Sequence, residues 1–503
     1  MLARAHTFTI DGPDARHVSV ELDVRSGLPA FTIVGLADMA VREARERIQS
    51  AIRNSGFDWP ARRITANLAP GDLRKAGPGF DLALACALLA ATGQLPGERL
   101  AGVALFGELG LDGTVRAAHG TLAVAQAACR AGLDGLAVAG SSSREAALVE
   151  GLAVAPLTDL VAAGRLLNGA PAAPLPPPAP RRAGEQTDAP ELGDVRGRSG
   201  AVQALLVAAA GGHNLLLSGP PGVGKTMLAR RLPGILPPLD RGEAIELARI
   251  ESLRVGHVET LRRARPFRSP HHSVTPAGLI GGTGNGWAGE VVMAHRGVLF
   301  LDELSEFSRA SLDALRQPLE DGFVTIARAH RTAVHASRFM LVCATNPCPC
   351  GYAGERSRCR CGPPELARHR RRLSGPLLDR LDLRISLHGD ADGGRPVTSA
   401  RARAEVSAAR ERQSRRLRGE GVRTNAEMDA SMLSRQVPIG EPSRRLLAEA
   451  LRRGLLSPRG EHRTLKVART IADLAGRERV SAEDVAAALA LRCETPATAD
   501  GAP

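Results

Sequence analysis

Lysine and the aromatic residues are what this chain has least of. Lys75, Lys225 and Lys466 are its only lysines, and aromatics make up 3% of it, with a single tyrosine. So few rings exclude base stacking as the main grip on a single strand. No uninterrupted apolar run is long enough to span a bilayer. The opening MLARAHTFTIDG lacks the apolar stretch of a secretion signal, so the expected compartment is the cytoplasm, with no membrane attachment. Eight cysteines in 503 residues of a reducing compartment are not a disulfide framework.

What is present is arginine. The formal charge is +13, carried almost wholly by guanidinium groups, which points to a polyanionic partner with nucleic acid as the leading candidate. An arginine-rich proteome would give part of the same excess without any ligand. Hydrophobic content of 44% with 24% charged residues is that of a folded chain, and the length implies more than one domain.

Composition divides the chain into blocks. Residues 1–168 mix strands and helices. His17–Val24 alternates as a half-buried strand does, and Val41, Ala44, Ile48 and Ile52 recur at helical spacing between Asp38 and Asn54. A further helix is expected over Asp81–Ala91, and a hairpin turn at Asp112-Gly113. A proline-rich spacer occupies 169–190. A second block runs over 191–395 and a basic helical one over 396–493, before a frayed tail at 494–503.

The second block carries the chemistry. The apolar strand Asn214–Ser218 runs into Gly219-Pro220-Pro221-Gly222-Val223-Gly224-Lys225-Thr226, and Met227–Arg231 continues as a helix. This strand–loop–helix arrangement is that of a phosphate-binding loop: glycines let backbone N–H groups face the phosphates, Lys225 brings charge and Thr226 a hydroxyl for Mg²⁺. A second apolar strand, Gly297–Leu301, ends in Asp302 and Glu303. Asp302 is expected in the magnesium shell, and Glu303 beside the water that attacks the γ-phosphate of ATP. A third strand ends in Asn346, suited to orienting water or sensing that phosphate. Arg380 stands at the end of the block, in Leu377-Leu-Asp-Arg-Leu-Asp-Leu383.

Taken with GLPAFTIVGLADMAVREARERI (27–48), RRITANLAPGDLRKAGPGFDLALA (62–85), RPFRSPHHS (265–273), AHRGVLFLDELSEF (294–307), TNPCPCG (345–351) and SPRGEHRTLKVARTIADLAG (457–476), these segments resemble the magnesium-chelatase-like AAA+ family of bacterial YifB and ComM proteins. The resemblance implies an α/β chain of three parts. These are an inactive N-terminal domain like ribosomal protein S5 and the Lon protease, an AAA+ P-loop core, and a C-terminal helical lid. It puts Asn346 at sensor 1, Arg380 at the arginine finger and Arg459 at sensor 2, with Arg463 the second choice there. A finger acting on a neighbouring subunit implies a homo-hexameric ring. By likeness to MCM-type helicases, Arg328 and more loosely Arg331 become contacts to DNA phosphates, set against the alternative of an exposed hairpin with no ligand. Gly281–Gly286 would then belong to a second pore loop.

Where Lon-type proteases carry a nucleophilic serine and its activating lysine, this chain aligns Gly79 and Leu122. With neither hydroxyl nor amine there, the first block is expected to organise or bind, not to cleave.

Cys348, Cys350, Cys359 and Cys361 form two closely spaced pairs that could hold a structural Zn²⁺ or remain reduced and unligated. Adjacent His271 and His272 are expected to point opposite ways on an extended segment, so that one metal cannot use both. The implied function is an ATP-driven DNA motor, for branch migration or unwinding during natural transformation. A chelatase-type motor that remodels a protein partner without DNA is the alternative.

Overall fold

The computed structural model describes residues 1–175, 189–282, 288–328, 331–353, 358–373, 375–387 and 396–492, with side chains described except at 253, 255, 327, 328, 331 and 332. Most of the proline-rich spacer, residues 283–286 of the expected second pore loop and the tail lie outside these residues. The fold is mixed α/β with parallel strands and a helical C-terminal region. No described helix is long and apolar enough to cross a membrane.

Two compact units form. The first comprises Met1–Arg182 together with Arg241–Arg262 and Thr325–His335; the second comprises Ala183–Asp240, Arg263–Val324 and Ala336–Pro503. The stretch 191–395, drawn as one block from the sequence, is therefore shared between them. Polar links within the first unit show why the 241–262 segment joins it. Arg249 pairs with Asp14 at 2.6 Å, Arg144 with Glu259 at 3.1 Å, and Ser252 hydrogen-bonds to buried Glu145. Burial raises the Glu145 carboxyl to about 7 although Ser252 opposes the shift.

The first unit is built on a seven-stranded sheet in the order Ala30–Val34, Arg63–Ala69, Asp14–Arg25, Leu2–Asp11, Val103–Phe106, Gly135–Ala139, Ala153–Leu157. The alternating strand read at His17–Val24 is the inner part of Asp14–Arg25, where Val18, Val20, Leu22 and Val24 face the core. The helix Asp81–Ala91 has the expected bounds, and nearly all of it is buried, Asp81 included. Arg47 meets that carboxylate through two hydrogen bonds of 2.7 and 3.0 Å, which makes a charge tolerable inside an apolar helix packing. The single helix expected over Asp38–Asn54 is instead two, Met39–Arg42 and Ala44–Asn54, meeting at Glu43. Asp38 caps the first by accepting from the Val41 N–H at 2.9 Å.

The second unit holds a five-stranded, wholly parallel sheet in the order Phe267–Arg268, Val298–Leu301, Met340–Thr345, Leu215–Ser218, Leu383–Ser386. Its three inner strands are almost entirely buried, as their uninterrupted apolar sequences require. The largely buried helix Ser199–Gly211 leads into the strand Leu215–Ser218, and its C-terminus turns at Gly212, where φ is +73°. Five α-helices follow between Ser399 and Ala490, two of which, Ser399–Arg416 and Pro458–Leu474, pack on Ser199–Gly211.

Candidate functional site

Parallel strands deliver their C-terminal ends to one edge, where ligands bind in open α/β sheets. Here that edge gathers the loop after Leu215–Ser218, the acids after Val298–Leu301 and the asparagine after Met340–Thr345. Register fixes the juxtaposition: Ser218 lies opposite Thr345, and Leu301 opposite Cys343. Gly219 leaves the strand with its N–H on the Thr345 carbonyl at 3.2 Å. Gly222 and Gly224 adopt φ of +75° and +95°, which β-carbon-bearing residues rarely do.

Lys225 then turns its ammonium back into the loop, donating to the carbonyls of Gly219 (2.6 Å) and Pro220 (2.9 Å) and to Asn346 Oδ1 (2.9 Å). Its pKa is lowered by burial, against the pull of Asp302 and Glu303. Thr226 Oγ1 donates to Asp302 Oδ2 at 2.7 Å. The residues thus suit a nucleotide triphosphate with its magnesium. The amine is ringed by neutral oxygens that phosphate oxygens can replace, and a hydroxyl and a carboxylate meet where a hard cation would bind.

Glu303 occupies left-handed backbone, φ 51° and ψ 52°, and its N–H is held by Asp302 Oδ1 at 3.0 Å. A non-glycine residue in that region carries strain, a recurrent property of residues that do chemistry. Its side chain is 59% exposed, and His272 Nδ1 stands 3.6 Å from its carboxylate. Nothing in the order of residues announces that pair, which forms through space between neighbouring strand ends. The expectation that His271 and His272 diverge is corrected: the chain turns there, and their ring centroids lie 4.0 Å apart. Alternation applies only to extended backbone.

Arg380 is nearly buried (8%) and follows the short helix Gly375–Leu378. It donates to the Pro376 carbonyl at 2.6 Å and pairs with Glu320. Together with Arg459, Arg463, His462, Lys466, Asp379 and Glu320 it lines a cavity of about 220 Å³, to which no residue of the loop 219–226 contributes. Beneath it lies a buried network. Arg463 donates to Asp382 Oδ1 (2.6 Å) and to the Arg380 carbonyl (3.0 Å), Asn214 N–H donates to Asp382 Oδ2 (3.1 Å), and His213 Nδ1 is 3.5 Å from that oxygen. Burial opposes ionisation of Asp382, but Arg463 and His213 overcome it and hold the carboxyl well below the usual range.

A depressed carboxylate stabilises the fold above its unfolded pKa of about 4, and that contribution is lost as pH falls towards the folded value. Arg463→Ala is therefore expected to cost about 2–3 kcal/mol near neutrality, because it strands a buried charge. The gap between its urea midpoint and the wild-type value should begin to close below about pH 4 and keep narrowing as pH falls towards the folded value. A deficit that persists undiminished in acid would assign the loss to packing alone.

The comparisons agree with this architecture. Family profiles described as magnesium chelatase subunit ChlI, subunit ChlI of Mg-chelatase and magnesium chelatase subunit ChlI C-terminal match residues 191–392, 20–142 and 396–492. An uncharacterised protein of Mycobacterium tuberculosis is 44% identical over 506 residues, covering 98% of each chain. The chain belongs to the magnesium-chelatase-like YifB/ComM family. YifB of Escherichia coli is 42% identical, with 94% of this chain and 93% of that one covered. Competence protein ComM of Haemophilus influenzae is 41% identical, with 96% and 95% covered.

Other expected positions fall as follows in this YifB/ComM-family chain. Arg328 ends the strand Phe323–Arg328 and Arg331 begins Arg331–Ala336, the two strands pairing in a two-stranded sheet; the side chains of both arginines lie outside the described residues. Gly79 is buried where an added β-carbon would overlap the Phe106 ring, and Leu122 is buried in the helix Thr121–Arg130. A serine would not fit at the former without displacing the ring. The four cysteines converge, as the spacing allowed: every pair of sulfurs among Cys348, Cys350, Cys359 and Cys361 lies within 4.8 Å.

Proposed function

We propose that the chain is an ATP-hydrolysing motor that assembles as a homo-hexamer and moves along single-stranded or branched DNA, driving branch migration or unwinding in recombination and natural transformation. The observation that carries this reading is the meeting of Lys225, Thr226, Asp302 and Asn346 at one edge of a parallel sheet. Bound ATP with Mg²⁺ supplies a phosphoanhydride whose cleavage is strongly downhill. The protein's own part is positioning and charge.

In this reading residues 219–226 wrap the phosphates, and Lys225 exchanges its carbonyl partners for phosphate oxygens. Thr226 and Asp302 hold the cation's shell. Glu303 accepts a proton from the attacking water, with His272 fixing the direction of its carboxylate, and Asn346 holds that water in line. Arg380 reaches the triphosphate of the adjoining subunit, and Arg459, which lines the same cavity, serves as the sensor-2 arginine of the lid. The first unit, resembling the S5 and Lon folds without their chemistry, organises the ring.

Support for DNA comes from the charge of +13 and from the competence protein among the relatives. The chelatase-subunit descriptions of the matching families support a second reading, a motor that remodels a protein partner. ATPase rates with and without single-stranded, duplex and forked DNA separate the two, since the second predicts no stimulation by any of them. Under the first, Arg328→Ala should lower the ratio of DNA-stimulated to basal turnover by roughly three- to tenfold through loss of a phosphate contact. An unchanged ratio would remove the hairpin from the path of the DNA.

A further inference from the structure

Two short arms carry the cysteines, Cys348-Pro-Cys350 two residues after Asn346 and Cys359-Arg-Cys361 one residue short of the helix Pro363–Arg372. Their sulfurs lie 3.3 Å (Cys348 to Cys350), 3.9 Å (Cys348 to Cys359) and 3.7 Å (Cys350 to Cys359) apart. A tetrahedron with metal–sulfur bonds of about 2.3 Å has sulfur–sulfur edges of about 3.8 Å. The cluster therefore has the size of a single tetrahedral ion, whereas a multi-iron cluster would hold its thiolates further apart.

The arms are also braced independently of any ion. The Ala353 N–H points at Cys348 Sγ at 3.2 Å, and the Gly351 N–H closes a turn onto the Cys348 carbonyl at 3.0 Å. The Arg358 guanidinium lies over the Tyr352 ring, 4.1 Å from its centroid, which ties one arm to the other. Donors held this way suit a soft or borderline divalent ion and no hard one.

This loop touches the nucleotide site on two sides. Gly351, at φ +88°, packs so closely on Pro221 of the loop 219–226 that an added β-carbon would overlap the proline ring. Asn346, two residues before Cys348, holds Lys225 through its side chain, while its carbonyl meets His369 Nε2 at 2.9 Å on the helix that follows Cys361. Both ends of the cysteine loop are thus anchored within the machinery assigned to ATP.

We propose that Cys348, Cys350, Cys359 and Cys361 bind one Zn²⁺ as a tetrathiolate, and that this ion holds the loop that sets Pro221 and Asn346 for nucleotide binding. The first half stands on the sulfur geometry alone; the second rests on the reading of residues 219–226 as a phosphate loop.

The test begins with metal, not turnover. Full-length protein purified without chelator should contain close to one zinc per chain, and Co²⁺ put in its place should give the visible spectrum of a tetrahedral thiolate site. Zinc below a tenth of an equivalent, or iron in its place, overturns the proposal. Displacing the ion with a mercurial, and reloading after thiol reduction, should lower and then restore affinity for a fluorescent ATP analogue by about tenfold or more. Gly351→Ala keeps all four thiols, so it should keep its zinc and still lose that affinity. One zinc per chain with nucleotide affinity unchanged in both experiments overturns the coupling. Zinc-loaded wild type that binds no nucleotide at all would instead sink the phosphate-loop reading and leave the metal site standing.

Discussion

Arg380→Ala is expected to bind ATP normally and to hydrolyse it about 10³- to 10⁵-fold more slowly, the loss that follows when a guanidinium no longer reaches the transferring phosphoryl group. Within its own chain Arg380 already has partners, the Glu320 carboxylate and the Pro376 carbonyl, and it lines a cavity to which the loop 219–226 contributes nothing. That placement makes sense for a side chain that serves a neighbour. Mixing inactive Arg380→Ala with inactive Lys225→Ala should then restore turnover, because one variant keeps the phosphate loop and the other the guanidinium. Random mixing would make about a quarter of the subunit contacts competent. A mixture as dead as its components would show that Arg380 works within its own chain.

Glu303→Gln should leave nucleotide affinity intact and reduce turnover about 10²- to 10⁴-fold, the range for losing a positioned general base. The amide keeps the size and the backbone hydrogen bond to Asp302 but cannot take a proton. Equilibrium binding of a fluorescent ATP analogue, measured beside phosphate release, separates the two effects. If affinity falls in parallel with rate, Glu303 is holding the site together and not reacting in it. The left-handed backbone at this residue gives a further control: Glu303→Gly relieves the strain while removing the carboxylate, so it should be as inactive as Glu303→Gln yet no less stable.

Much of the site was legible because its parts are local. A strand, a glycine-rich turn and a lysine are contiguous, and buried parallel strands announce themselves as apolar runs ending in Ser218, Asp302 and Asn346. Parallel pairing then does the assembly, since it carries those three ends to one edge whatever lies between them. The helix Asp81–Ala91 could be bounded for the same reason.

Other features depend on distance in space and left little trace. His272 meets Glu303 because two strand ends are neighbours, and the chain turn that brings it against His271 defeats the alternation expected of extended backbone. Asp382 looks like one more charge in Leu377–Leu383, yet it anchors Arg463 and the adjacent pair His213 and Asn214, from two distant stretches. The break at Glu43 hides inside an unbroken helical periodicity, because hydrophobic spacing survives a one-residue interruption. The union of 241–262 with the first unit rests on pairs such as Arg249 and Asp14, which are ordinary surface charges when read in line.

The scarcity of aromatic residues has a practical consequence. Tyr352, the only phenol in the chain, sits between the two cysteine arms with a guanidinium on its face. Fluorotyrosine incorporated throughout the protein would therefore give one resonance, from one loop, with no assignment problem. Its shift and linewidth could follow how that loop responds to fuel, oxidant or neighbouring copies, without a single substitution.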